Sequence, residues 1–199
     1  MERFQRLEAV ALPIAHPHVD TDQILPARYL QKPRANDFGQ FLFRDVRFRK
    51  DGSEEPGFPL NQAAYRQARI LVAERNFACG SSREHAVWAL YDYGFRALIA
   101  PSFGDIFFAN ALKNGLLPIV LPAAAVARML GEIQTTPGSR VGVDLDGQTV
   151  VAPDGTVHGF AVDPFPKHCL LNGMDELDYS LSLAQSIADF ERRYALDDG

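Results

Sequence analysis

Apolar positions come in short runs along this chain, and their spacing changes twice. Residues 10–15 form a first apolar run, which predicts a short strand leading into the polar loop His16-Pro17-His18-Val19-Asp20-Thr21-Asp22-Gln23. Between residues 28 and 57 no period is sustained. Phe38, Phe41, Phe43 and Phe48, followed by Phe58, nevertheless make this stretch too apolar for a linker. It predicts an ordered excursion, packed on the core or on a partner.

The clearest pattern begins at Ala68. Arg69-Ile70-Leu71-Val72-Ala73 predicts a buried strand, and residues 74–80 a loop. Residues 81–93 then predict a helix, with Ala86, Ala89, Leu90 and Tyr93 on one face and Gly94 just past its end. Ala97-Leu98-Ile99-Ala100 is the next strand, 103–114 a helix closed by Gly115, 116–121 a strand, and 123–133 a helix entered through Pro122. Strands alternating with helices over short connections predict parallel crossovers. After residue 140 the style changes. Val141, Val143 and Leu145 alternate with polar positions, and Asp146-Gly147 and Asp154-Gly155 are hairpin turn signals, so 140–162 predicts an antiparallel meander. Asp163-Pro164 starts a short helix. Residues 175–194 predict one longer amphipathic helix with Leu177, Leu181, Ala184, Ile187 and Ala188 on one side. The expected architecture is α/β, a parallel core with an antiparallel β addition, in one domain spanning 1–199.

Composition narrows the function classes. Apolar residues make up 47% of the 199, enough for a real core. The formal charge of −5 argues against non-specific nucleic-acid binding, which needs cations to neutralise phosphates. Two cysteines, Cys79 and Cys169, are too few for a disulfide framework or for an iron–sulfur cluster held within the chain, and they fit a reducing, cytoplasmic compartment. Residues 1–8 lack the apolar run of a signal peptide. The longest apolar stretch, 116–127, is broken by Pro118 and Pro122 and falls short of the ~20 residues of a membrane span.

Candidate chemistry concentrates in Gly80-Ser81-Ser82-Arg83-Glu84-His85. Ser81 and Glu84 fit a capping box, in which each side chain bonds the other residue's backbone N–H. Arg83 does not fit it, because a cation in the first turn of a helix is disfavoured by roughly 0.3–1 kcal/mol. Free N–H groups, two hydroxyls and a forked guanidinium would instead bind a carboxylate or phosphate. Local physics leaves both open, along with an Arg83 that pairs with a structural acid. His85 is a base or a packing residue, and Cys79 a reactive thiol or a small buried one. A serine-hydrolase elbow is absent, since the run ends in Glu84. His16 and His18 have chelating spacing without a matched third ligand, so a mononuclear metal site is a further alternative.

Gly80-Ser81-Ser82-Arg83-Glu84-His85-Ala86 resembles the signature of the mobile, or swivelling, domain of the aconitase superfamily. Asp20-Thr21-Asp22-Gln23-Ile24-Leu25-Pro26 resembles the loop that precedes it, and Phe103 to Ile119, with the run Asn110-Ala111-Leu112-Lys113-Asn114 to Pro118, the helix and strand after it. Leu170-Leu171-Asn172-Gly173, Tyr29-Leu30-Gln31-Lys32 and Phe41-Leu42-Phe43 resemble the bacterial small-subunit branch that serves leucine biosynthesis. The resemblance covers nearly the whole chain. It implies a three-layer β/β/α swivelling domain and a hydro-lyase that interconverts 2-isopropylmalate and 3-isopropylmalate through 2-isopropylmaleate. It also implies a four-iron–four-sulfur cluster on a separate large subunit, no metal or cofactor in this chain, and activity only in the heterodimer.

By position in the motif, Ser81 resembles the serine base, Ser82 an added hydrogen-bond donor and Arg83 the substrate carboxylate clamp. Asp22 resembles a loop acid that pairs with a histidine of the large subunit; without the family it reads as a turn aspartate. Residues 29–34 correspond to the loop that chooses among substrates. There Leu30 offers apolar contact and either Lys32 or Arg34 a carboxylate contact. Small subunits acting on citramalate or homoaconitate, and a non-catalytic anion-binding module, are the alternatives. The phenylalanine-rich excursion and the last helix are expected at partner or self contacts, or in ordinary core packing.

Overall fold

Strand β1 (Arg6–Ile14) joins two differently built halves of one seven-stranded sheet. The computed structural model describes residues 1–34, 38–80 and 83–197. The C-terminal half of β1 pairs in parallel with β2 (Ile70–Ala73), with Ala11 opposite Ile70 and Ile14 opposite Ala73. Strands β3 (Ala97–Ala100) and β4 (Leu117–Val120) extend this side, each parallel to the one before. The N-terminal half of β1 pairs antiparallel with β5 (Arg140–Asp144), followed by the hairpins to β6 (Thr149–Val151) and β7 (Val157–Gly159). The order is β4-β3-β2-β1-β5-β6-β7.

The two halves carry different sequence patterns because they are covered differently. All four residues of β2 and of β3 are buried, which is why they read as unbroken apolar runs. In β5 only Val141 and Val143 are buried, and the residues that alternate with them, Arg140, Gly142 and Asp144, are polar or small. The four residues of β1 before Val10 belong to this alternating half, so an apolar run alone placed the start of the strand too late.

Eight helices surround the sheet among the described residues. Two are single turns, α1 (Thr21–Ile24) and α2 (Arg44–Arg47). Helices α3 (Glu84–Tyr93), α4 (Asp105–Lys113) and α5 (Ala123–Thr135) follow β2, β3 and β4 in turn. α3 packs on α4, and α5 lies against β1, β2 and β3. Helix α6 (Pro164–Asn172) touches α4, and α7 (Glu176–Ser182) and α8 (Ala184–Asp197) form the tail. No helix among the described residues is long and apolar enough to cross a membrane.

The phenylalanine-rich excursion packs on this chain's own core. Phe38 and Phe43 are buried, and Phe41 and Phe58 pack partly buried against them. Gly39 lies flush on α3: a Cβ added there would stand 2.5 Å from the backbone nitrogen of Tyr93. The expected single tail helix is instead two, divided at Leu183. The hydroxyls of Ser180 and Ser182 bond back to the carbonyls of Glu176 and Tyr179, the local competition that weakens a helix interior. The apolar side chains Leu177, Leu181, Ile187, Phe190 and Tyr194 of this tail are exposed.

Candidate active site

Three loops leave the carboxyl ends of β1, β2 and β3, and the backbone knits them together. The loop after β2 is the middle one. On one side the Cys79 N–H donates to the Val19 carbonyl (3.2 Å) and the Thr21 N–H to the Cys79 carbonyl (3.0 Å). On the other side the Phe77 N–H donates to Ser102 (3.1 Å) and the Gly104 N–H to Phe77 (3.0 Å). Alternating with Phe77 and Cys79, the residues Asn76, Ala78 and Gly80 take left-handed backbone, with φ of 60°, 57° and 93°. At an alanine that conformation costs roughly 1–2 kcal/mol, and it persists because neighbours on both sides hold the loop. Gly104 makes the closest approach: a Cβ there would lie 2.5 Å from the Ala78 carbonyl oxygen.

This loop delivers the chain to α3, which begins at Glu84 and not at residue 81. Arg83 is the N-cap, with extended backbone and no side-chain capping bond. Glu84 is the first helical residue and so does not occupy the third helical position at which a capping-box glutamate sits. Its carboxylate accepts instead from the Asn114 amide at 2.8 Å, and the Asn114 oxygen accepts from the Trp88 indole at 3.1 Å. Ser81 and Ser82 lie outside the described residues.

The Arg83 guanidinium pairs with Asp22 across the two loops. Asp20 caps α1 through the Gln23 N–H at 2.7 Å, which places Asp22 in that single turn. Asp22 also accepts from the Ala27 N–H at 3.2 Å. The hydrogen bond from Arg83 holds the Asp22 carboxyl below the usual carboxylate range, against a smaller opposing effect of burial. Of the residues singled out in the sequence, Asp22 and Arg83 are thus brought into contact.

Of the 29–34 segment, Arg34 reaches α3. Tyr29 stacks on Phe41 at 4.4 Å, and Phe41 meets Phe38, which meets Trp88. Leu30 is half-buried against the core. Lys32 is exposed, with its ammonium 5.5 Å from the centre of the Phe41 ring. The Arg34 guanidinium lies over Trp88 at 5.1 Å and bonds Asp92 at 3.1 Å.

His85 packs on Trp88 with ring centres 4.4 Å apart. His18 stands 2.8 Å from the Asn76 amide. Cys79 is half-buried in the loop after β2, and Cys169 is buried in α6. These two thiols are too few for an iron–sulfur cluster, and no metal-holding group of three His, Cys, Asp or Glu occurs among the described residues. The chain's own residues do not fit such a cluster. Sequence reasoning missed Asn114, Trp88 and Asp92. Asn114 before Gly115 signalled only a helix end, and nothing local marks the other two.

Residues 1–124 match the family model of the aconitase C-terminal domain, and 127–164 match that of LeuD_N. The 3-isopropylmalate dehydratase small subunit of Rhodospirillum rubrum is 46% identical over 196 residues, covering 98% of this chain and 95% of that protein. The protein of the same name from Paramagnetospirillum magneticum is 49% identical over 191 residues, covering 96% and 95%. The chain belongs to this family. The crystal structure of 3-isopropylmalate dehydratase from Methanocaldococcus jannaschii is 26% identical, superimposes with a TM-score of 0.67, and covers 94% of this chain and 99% of its own. The small-subunit match thus extends through the meander, α6 and the tail, beyond the loops that hold Asp22 and Arg83.

Proposed function

We propose that this chain is the small subunit of a cytoplasmic hydro-lyase that interconverts 2-isopropylmalate and 3-isopropylmalate in leucine biosynthesis. It acts only when joined to a large subunit, which carries the four-iron–four-sulfur cluster. The observation that carries this is the Arg83 guanidinium, largely buried at the start of α3 and paired with an aspartate that is itself exposed. Such a cation accepts a substrate carboxylate by exchanging one anion for another. Kinship with proteins named for this activity supplies the substrate.

A proton on carbon next to a carboxylate is very weakly acidic. Its removal requires a base and donors that neutralise the charge growing on the carboxylate. Arg83 supplies two parallel N–H donors to one carboxylate. Ser81, two residues before it, takes the proton from carbon, and Ser82 adds a hydrogen-bond donor. The hydroxyl leaves the adjacent carbon, so that with the abstracted proton one water is lost and 2-isopropylmaleate forms. On re-addition the proton goes to the carbon that carried the hydroxyl and the hydroxyl to the carbon that carried the proton, so the hydroxyl changes position with no net gain or loss of atoms. Asp22 holds Arg83 in the unassembled chain and turns to a histidine of the large subunit on assembly. Leu30 meets the isopropyl group. No step assigned to this chain runs through the cluster.

Mixing the chain with its large subunit tests this, by following the ultraviolet absorbance of the new double bond in 2-isopropylmaleate. Turnover is expected only from the mixture, with 2-isopropylmalate preferred over citramalate and homoaconitate. Turnover by this chain alone, or full turnover by assembled Ser81→Ala and Arg83→Lys variants, overturns it.

A further inference from the structure

The 29–34 loop offers two cations, Lys32 and Arg34, and their surroundings differ. Arg34 reaches Asp92 in the last turn of α3. A carboxylate there faces the negative end of the helix dipole and is disfavoured unless a cation covers it. The Asp92 side chain is 12% exposed, and its second oxygen is buried with no hydrogen-bond partner among the described residues. Moving Arg34 to a substrate would leave that carboxylate buried and unpaired. Trp88 holds the other side of the guanidinium.

Distance points the same way. Asp92 lies nine residues beyond Arg83, about 13 Å along the helix axis at 1.5 Å per residue. The two carboxyl carbons of an isopropylmalate are separated by three carbon–carbon bonds, less than about 5 Å. A substrate held by Arg83 therefore does not extend to the far end of α3. The loop itself begins at the substrate end, because the Ala27 N–H bonds Asp22, which holds Arg83. Lys32 lies between these anchors. It is exposed, its ammonium meets the face of Phe41, and it has no carboxylate partner among the described residues.

We infer that Lys32 is the loop's substrate-facing cation, and that Arg34 is a positioning residue that pins the loop to α3 through Asp92 and Trp88. This rests on the dehydratase function proposed above. It assigns the second substrate carboxylate to a lysine, and it makes Asp92, buried and remote from substrate, a determinant of loop position.

Four variants test it in the assembled enzyme: Lys32→Gln, Arg34→Gln, Asp92→Asn, and Arg34→Gln with Asp92→Asn. Lys32→Gln is expected to raise KM for 2-isopropylmalate at least about tenfold with an unchanged melting temperature. Arg34→Gln is expected to lower the melting temperature of the isolated chain and to raise KM. Asp92→Asn breaks the same anchor, so it is expected to raise KM to within about threefold of Arg34→Gln, and the double variant raises it no further, while loss of the orphaned carboxylate brings the melting temperature back toward that of Asp92→Asn alone. An Asp92→Asn enzyme with wild-type KM beside a full KM defect in Arg34→Gln shows direct substrate contact by Arg34 and overturns the inference. So does a Lys32→Gln enzyme with unchanged KM. An assembly that fails to turn over 2-isopropylmalate removes the functional reading and the role of Lys32 with it. The melting-temperature cycle on the isolated chain then decides the anchoring role of Arg34 by itself.

Discussion

Two arginine–aspartate pairs sit at opposite ends of α3, and they are mirror images in burial. At the start, the Arg83 side chain is 19% exposed and the Asp22 side chain 55%. In the last turn, Arg34 is 38% exposed and Asp92 12%. The partner that water cannot reach decides what each pair can do. Asp22 can be released to solvent, so Arg83 is free to exchange it for another carboxylate. Asp92 has no such recourse, so Arg34 stays where it is. The same pairing of arginine with acid is thus proposed to give an exchangeable site at one end and a fastening at the other.

Variants at the two ends should separate accordingly. The largest effect belongs to the exchangeable end: Ser81→Ala should lower turnover of the assembled enzyme by about 10²–10⁴-fold, the usual worth of a general base, with an unchanged melting temperature. A loss below tenfold would remove Ser81 as the base. At the fastened end, Gly39→Ala drives a methyl group into the backbone of Tyr93 and should destabilise by about 1–3 kcal/mol in denaturant unfolding. Arg34→Gln should cost about 1–2 kcal/mol, less than a fully buried pair because Arg34 is partly exposed. Calorimetry should then show a melting temperature lower by roughly 2–8 °C. An unchanged value would make this pair as dispensable as an ordinary surface bridge.

The smallest effect is a titration. Arg83 lowers the Asp22 pKa below the ordinary 3.8. A depressed carboxylate contributes stability above its unfolded pKa and loses it as pH falls through the folded value. The pair is therefore ionised throughout the neutral range, and its contribution fades only below pH 3.8. Carboxyl carbon NMR should place the Asp22 midpoint below 3.8 and, in Arg83→Gln, move it up toward that value. A wild-type midpoint at or above it would deny the contact.

Much of this was legible in the sequence, where the cause is local. The run Ala97-Leu98-Ile99-Ala100 is β3 residue for residue, and the alternation through α3, α4 and α5 gave the parallel half. The Asp-Gly turns gave the meander. What escaped was set by partners far along the chain. Ser-x-x-Glu spacing suggested a capping box, but Asn114, 30 residues away, takes the Glu84 carboxylate. Asp92 and Arg34 are separated by 58 residues and Arg83 and Asp22 by 61, so no local pattern could distinguish the two arginines. The tail's amphipathic period was visible, but its two back-bonding serines, which divide it, read only as ordinary polar positions. Family resemblance proposed roles for Ser81, Ser82 and Arg83 that local physics left open.

The central claim is that Arg83 exchanges Asp22 for a substrate carboxylate. Steady-state dehydration of 2-isopropylmalate by the Arg83→Lys chain assembled with its large subunit tests it most directly. The lysine keeps the charge and loses the fork. A fall of about 10²–10³-fold in kcat/KM, with assembly and melting temperature unchanged, is the predicted result. Activity within about threefold of the wild-type enzyme would contradict it.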